Sequence, residues 1–214
     1  MTVLARFTAF LILVLPVVSP LPAAAAFDAS KMTDDDRRLF AEVDRYLRAI
    51  RSMQSRFVQL SSNGDFAEGL MFLRRPGRMR IEYQKPDNSL IVADGEFFTY
   101  YDAEAGQATH VYLKLTPASI LLDKNLSLTS KEILVVGFER APGVVRAKVA
   151  RATAPDEATI TLVFNESPLA LRKWTVLDAQ GITTDVSLVG ARFDMPLPDD
   201  LFIFDAPEES QEGN

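Results

Sequence analysis

The strongest constraint on this chain is a series of short apolar runs between positions 69 and 102, each broken off by tight-turn residues. Gly69-Leu-Met-Phe-Leu73 and Arg78-Met-Arg-Ile-Glu-Tyr83 are separated by Arg74-Arg-Pro-Gly77. Leu90-Ile-Val-Ala93 and Phe97-Phe-Thr-Tyr-Tyr101 flank Asp94-Gly95. Such runs read as strands, and Asp-Gly between two of them reads as a hairpin. From Arg78 to Tyr83 the alternation is clean, with Met79, Ile81 and Tyr83 on one face and Arg78, Arg80 and Glu82 on the other. Several other runs are apolar on more than one face. So many bulky apolar side chains on short antiparallel strands make either a filled core or a container for an apolar guest.

The pattern extends in both directions. Met53 to Leu60 and Gln107 to Leu113 read as further strands. A second series follows: Glu132–Arg140, Val144–Arg151, Ala158–Asn165, Leu169–Leu177 and Ile182–Val189, parted by turns such as Ala141-Pro-Gly143 and Ala179-Gln-Gly181. The spacing suits an antiparallel meander, which Leu201-Phe-Ile-Phe204 is placed to close. Two segments are helical. Thr33 is a good N-cap, and Asp34, Asp35 and Asp36 follow it where the helix dipole favours negative charge. Leu39, Val43, Leu47 and Ile50 then recur at helical spacing, with Phe40 and Tyr46 beside them and arginines on much of the remaining surface. The aspartate triplet is explained by helix initiation, without a cation site. Thr116-Pro117 reads as the N-cap and first position of a very short helix whose Ala118, Ile120, Leu121 and Leu122 are too apolar for an ordinary surface element.

The first 26 residues read as a signal peptide: Arg6, an apolar stretch from Phe7 to Val18 broken by Pro16, then Ala24-Ala25-Ala26. The stretch is short for a membrane span. Residues 27–204 read as a single domain and 205–214 as an acidic, frayed tail. The chain carries a formal charge of −6, and its first 26 residues contribute only Arg6, so the remainder is at −7. That balance argues against nucleic-acid binding. Cysteine is absent, so an exported chain here uses no disulfide and has no cysteine on which to carry lipid.

The catalytic inventory is thin, and no catalytic residue is assigned. With no cysteine and only His110, the common zinc sites cannot assemble, and no metal or other cofactor is expected. No Gly-x-Ser-x-Gly elbow or glycine-rich phosphate loop is present. A pair of carboxylates in the manner of a hydrolase stays open from sequence, with Asp94 its most tempting member, although turn geometry alone accounts for Asp-Gly. Among Arg74, Arg75, Arg78 and Arg80, the last two oppose Met79 and Ile81 and read as a solvated strand face. Arg75 differs. If its strand runs on to Pro76, it shares parity with Met71 and Leu73, so its guanidinium needs buried partners.

At these residues the chain resembles the LolA family of periplasmic outer-membrane lipoprotein carriers. The likeness rests on Gly69 through Arg75-Pro76, the strand ending Glu82-Tyr83, Val92-Ala-Asp-Gly95 followed by Tyr100-Tyr-Asp102, and Thr116-Pro117 opening a short helix. Asp178 to Gly181 and Asp200-Leu-Phe-Ile-Phe204 fit more weakly. Ile81 departs from the family pattern, in which a tryptophan is frequent. The resemblance implies an α+β, mainly β fold: an unclosed antiparallel β-barrel with a helical lid over a hydrophobic cavity. It implies a non-enzymatic, monomeric periplasmic carrier that takes lipoprotein acyl chains from an inner-membrane ABC transporter to an outer-membrane acceptor. Arg75 matches the family arginine that bonds to the lid backbone.

By strand parity the lipid-binding residues are then Met71, Leu73, Met79, Ile81, Leu90, Val92, Phe98 and Tyr100, with Ile120 and Leu121 from the lid. Three other readings stay open: a carrier of another exported amphiphile such as a phospholipid or glycolipid, a carboxylate-based hydrolase, and a scaffold domain with an ordinary filled core.

Overall fold

The structure, a computed structural model, describes residues 27–205. The signal peptide and most of the acidic tail lie outside the described residues. Eleven strands form one antiparallel sheet. The first six are β1 (Ser52–Ser61), β2 (Phe66–Arg74), β3 (Arg78–Tyr83), β4 (Leu90–Asp94), β5 (Phe97–Asp102) and β6 (Gln107–Tyr112). The remaining five are β7 (Ile133–Ala141), β8 (Val144–Arg151), β9 (Ala158–Glu166), β10 (Leu169–Asp178) and β11 (Thr183–Phe193). Their spatial order is β6-β5-β4-β3-β2-β1-β11-β10-β9-β8-β7. Two sequential meanders are thus joined where β1 pairs with β11, Phe57 lying opposite Leu188. The sheet curls without closing, and β6 and β7 are its two edges.

Curvature comes partly from register shifts at Gln54/Arg56, Leu171/Lys173 and Val135/Gly137, because an extra residue bends its strand. Gly69 allows a close approach on β2. A Cβ there would lie 2.0 Å from the Glu82 carbonyl oxygen and 2.9 Å from the Phe57 ring.

Helix α1 spans Asp34–Ala49. Its start is the expected one: the Thr33 hydroxyl accepts from the Asp36 amide, and the Asp36 carboxylate reaches back to the Thr33 amide. Leu39, Val43 and Leu47 point into the concave face of the sheet. They meet Met53, Phe57, Met71, Leu73, Met79 and Ile81 from one half, and Val145, Leu162, Phe164 and Trp174 from the other.

The two meanders are connected by residues 113–132, which carry a 3-10 turn (Leu113–Leu115) and a one-turn helix, α2 (Ala118–Leu121). Leu113, Ile120, Leu121, Leu122, Leu126 and Leu128 are all buried. This apolar connection covers the concave face beside α1. Thr116 does not cap α2 as expected; its hydroxyl donates back to the Leu113 carbonyl at 2.8 Å and is used by the preceding turn.

The segment Leu201–Phe204 does not close the meander. Asp200–Phe202 is a 3-10 turn. It belongs to a C-terminal strap over the convex face of the first meander, where Phe204 packs with Leu90, Val92 and Tyr101.

Candidate functional site

Arg75 stands at the end of β2, where the chain turns through Pro76 and Gly77 toward β3. Its Nε donates to the Leu121 carbonyl of α2 at 2.8 Å. Its Nη1 donates to the Leu47 carbonyl at 2.6 Å and the Ile50 carbonyl at 3.2 Å, at the end of α1. A cation is favoured there, because the last carbonyls of a helix lack intrahelical partners and carry its negative pole. One guanidinium therefore joins α1, α2 and the sheet. Burial lowers the Arg75 pKa to about 10, with Asp123 opposing the shift and Arg51 adding to it. The side chain stays charged at neutral pH.

Gly77 reinforces the same junction. Its amide donates to the Leu122 carbonyl at 2.9 Å. Its φ of +76° is a left-handed conformation, and a Cβ would sit 2.8 Å from the Cα of Gly95. The Arg-Pro-Gly turn and the Asp-Gly hairpin thus touch, and it is Gly77 that the contact requires, since a Cβ on Gly95 would meet nothing within 4 Å.

Part of the apolar set lies on the concave face. Met71 pairs with Ile81 and Leu73 with Met79, all on the concave face and all buried. Phe98 packs against the same cluster, and Ile120 and Leu121 close on it from α2. Tyr100 shares the face, opposite Ile91, but is 38 % exposed, with its hydroxyl 3.3 Å from that of Ser89.

Leu90 and Val92 lie elsewhere. Pairing sets Ile81 opposite Ile91 and Met79 opposite Ala93, so Ile91 and Ala93 hold the concave positions in β4. Leu90 and Val92 face the convex side, under the C-terminal strap. The reason is the one-residue sensitivity of strand facing: Leu90-Ile-Val-Ala93 is apolar at every position, so alternation cannot choose its face.

The interior is lined by apolar side chains. The buried residues of the concave face, α1 and the 113–132 connection form one continuous apolar cluster. Met53, Met71 and Met79 stand in its middle, and unbranched thioethers repack readily.

A further polar anchor escaped the sequence reading. Asp44 on α1 is 5 % exposed. Its Oδ1 accepts from the Ser127 hydroxyl at 2.7 Å and the Leu128 amide at 2.8 Å, and its Oδ2 lies 2.9 Å from Arg48. The available signal was its place four residues after Phe40 and three before Leu47, a carboxylate on the margin of the apolar stripe.

The remaining arginines are not a merely solvated face. Arg74 donates to the Leu197 carbonyl at 2.5 Å, pairs with Asp199, and stacks its guanidinium over Phe202 at 4.9 Å. Arg78 bonds Asp199 at 2.8 Å, and Arg80 reaches Glu82 at 2.6 Å and the Leu201 carbonyl at 3.5 Å. They hold the strap down. The hydrogen bond from Arg74, then the charges of Arg74 and Arg78, keep the Asp199 carboxyl below its usual range.

Asp94, the tempting carboxylate, accepts the Glu96 and Phe97 amides, each at 2.8 Å, which is turn work. His110 is exposed on β6 with Nδ1 2.8 Å from the Thr99 hydroxyl.

The family model for the outer membrane lipoprotein carrier protein LolA matches residues 48–205. An outer-membrane lipoprotein carrier protein from Legionella pneumophila (strain Paris) is 31 % identical over 170 residues, covering 76 % of this chain and 83 % of that one. The protein of the same name from Pseudomonas putida (strain GB-1) is 27 % identical over 176 residues, covering 76 % and 81 %. A solved LolA-superfamily protein from Nitrosomonas europaea aligns at a TM-score of 0.47 and 11 % identity, over 79 % of this chain and 97 % of that one. The family model spans Arg75 and the whole 113–132 connection, and on the strength of these matches this chain belongs to the LolA family of outer-membrane lipoprotein carrier proteins.

Proposed function

We propose that this protein is a soluble periplasmic carrier that takes lipoproteins from the inner to the outer membrane by shielding their acyl chains beneath α1 and α2. The observation that carries this reading is the Arg75 junction. A buried charged group holds two helices over an apolar interior through main-chain carbonyls alone. Such bonds fix a closed position without demanding particular side chains on the moving parts.

The energetics suit a shuttle. Shielding an acyl chain from water is worth about 0.8 kcal/mol per CH₂, so a lipid-bearing protein needs an escort across an aqueous compartment. Opening must displace the Arg75 bonds, and each hydrogen bond to a charged group contributes roughly 1.5–3 kcal/mol. The two quantities are of the same order once several methylenes are covered, so loading and closing can compete. Met71, Leu73, Met79, Ile81, Phe98, Ile120 and Leu121 would meet the acyl chains as the cluster opens, with Tyr100 at its exposed margin. The donor would be an inner-membrane ABC transporter and the recipient an outer-membrane acceptor.

The test is extraction. Purified mature protein is incubated with inner-membrane vesicles holding labelled lipoprotein and their energised transporter, and soluble label is measured after the vesicles are pelleted. Stoichiometric appearance of label with the carrier supports the reading. No label above a carrier-free control overturns it, and release of phospholipid or glycolipid alone, identified by mass spectrometry, reassigns the cargo.

A further inference from the structure

The open seam of the sheet has a clasp of its own. On one side, β6 runs directly into the Leu113–Leu115 turn and α2; on the other lies β7, flanked by β8. Arg151, the last residue of β8, pairs with Ile133 at the start of β7. Its side chain crosses to the lid connection. Nη1 donates to the Lys114 carbonyl and Nη2 to the Thr116 carbonyl at 3.4 Å. Nη2 also lies 3.7 Å from the exposed Glu157 carboxylate, while Nε is buried and meets no acceptor.

We infer that Arg151 is a positioning residue that clasps the seam. It fastens residues 113–116 to the β7–β8 edge, and its release frees this end of the connection first, before the Arg75 bonds at the other end are displaced. The inference rests on reading α2 as a movable lid over a cargo space. Two contrasts between the ends support it. The far end is held from several directions: Arg75 on Leu121, the Gly77 amide on Leu122, and buried Asp44 on Ser127 and Leu128. The near end is tied to its own meander by the Leu113 amide on the Glu96 carbonyl, but across the seam it is held by a guanidinium that leaves its own Nε unpaired, and neighbouring Leu115 is 62 % exposed. An unpaired buried donor favours departure, since water satisfies it once the clasp opens. Geometry makes the clasp consequential: a guest too thick for the closed cluster needs the edges of the sheet to part, and the Arg151 bonds lie across that line.

The chain has no cysteine, so Tyr112→Cys and Leu134→Cys place one spin label near each side of the seam without competing sites. Both positions are exposed, at 49 % and 38 %. Inter-label distances are measured in the mature protein during titration with palmitate, with and without Arg151→Ala. The expected result is a longer, broader distribution in R151A before palmitate, and half-maximal widening at several-fold lower palmitate. R151K should fall between, because a single ammonium keeps the charge but not the fork that reaches two carbonyls. A residue with only a structural role would lower the unfolding temperature and leave the titration unmoved. If R151A does not fold, R151K decides, and an unshifted titration in it overturns the clasp. Lipoprotein extraction is scored separately. A seam that widens in R151A while even the wild type extracts no lipoprotein keeps the clasp and overturns the carrier reading. Equal extraction by wild type and R151A, with an unmoved seam, overturns the clasp alone.

Discussion

The Leu128 amide, beyond the lid helix, donates to the Asp44 carboxylate of α1 at 2.8 Å, across 84 residues of sequence. With the bond from the Ser127 hydroxyl it makes α1 and the far flank of the lid a single unit. A carrier built this way would free its near flank first, because the far flank travels only with α1.

Asp44→Ala should destabilise the protein measurably. It leaves the buried Leu128 amide without an acceptor, and a stranded buried donor costs about 1–3 kcal/mol. Urea unfolding followed through Trp174, which is buried in the core, reads the change. Faster hydrogen exchange confined to residues 126–129 should accompany it. An unchanged urea midpoint would show that the bond contributes nothing net.

Arg75→Leu should uncouple both helices from the sheet. It removes three charge-assisted bonds and also relieves the burial of a charge, so the net loss for the closed state is put at about 2–3 kcal/mol. That equals roughly a 30- to 150-fold shift toward the open form. Binding of an apolar fluorescent probe should tighten, and release of bound lipoprotein to acceptor membranes should slow. Probe affinity and delivery like those of the wild type would remove Arg75 from the switch.

Gly69→Ala tests the close approach of β2 and β3. Its new methyl would meet the Glu82 carbonyl oxygen at 2.0 Å, and backbone cannot move aside as a side-chain tip can. Overpacking of this kind costs about 1–3 kcal/mol. Thermal unfolding should shift downward, whereas Gly64→Ala, which meets nothing within 4 Å but has a φ of +96°, should show only the backbone strain of that turn.

The C-terminal strap should loosen in acid. The Asp199 carboxyl titrates below the ordinary aspartate range because Arg74 hydrogen-bonds it and because Arg74 and Arg78 are charged. A depressed folded-state value means that the stabilisation is fully present above the unfolded value and is lost as pH falls through the folded one. Amide exchange of residues 197–204 should therefore rise below about pH 4, and Asp199→Asn should show fast exchange with no such acid step. A strap equally protected from pH 7 to pH 2 would refute the link.

Much of this architecture was legible in the sequence. Thr33 with Asp36 announced α1, alternation from Arg78 to Tyr83 announced β3, and Asp94-Gly95 announced the hairpin between β4 and β5. Even there a local rule fell short: β4 runs on through Asp94, so the two residues between the strands are Gly95 and Glu96, one position beyond Asp94-Gly95. Arg75 was recognisable as a buried cation needing carbonyl partners, but only its lid contact was implied by resemblance, and its bonds to Leu47 and Ile50 were not.

The sequence by itself determined α1 and most of the strands, because capping, turn chemistry and side-chain alternation act over a handful of neighbouring residues. Only the tertiary structure decided which side of β4 faces inward, that Arg74 and Arg78 hold Asp199, and that Asp44 anchors the lid's far flank. Each of those outcomes depends on groups brought together from far along the chain, 125 residues for Arg74 and Asp199. No local pattern specifies a partner at that distance; the pairing of strands and the closure of one apolar interior do.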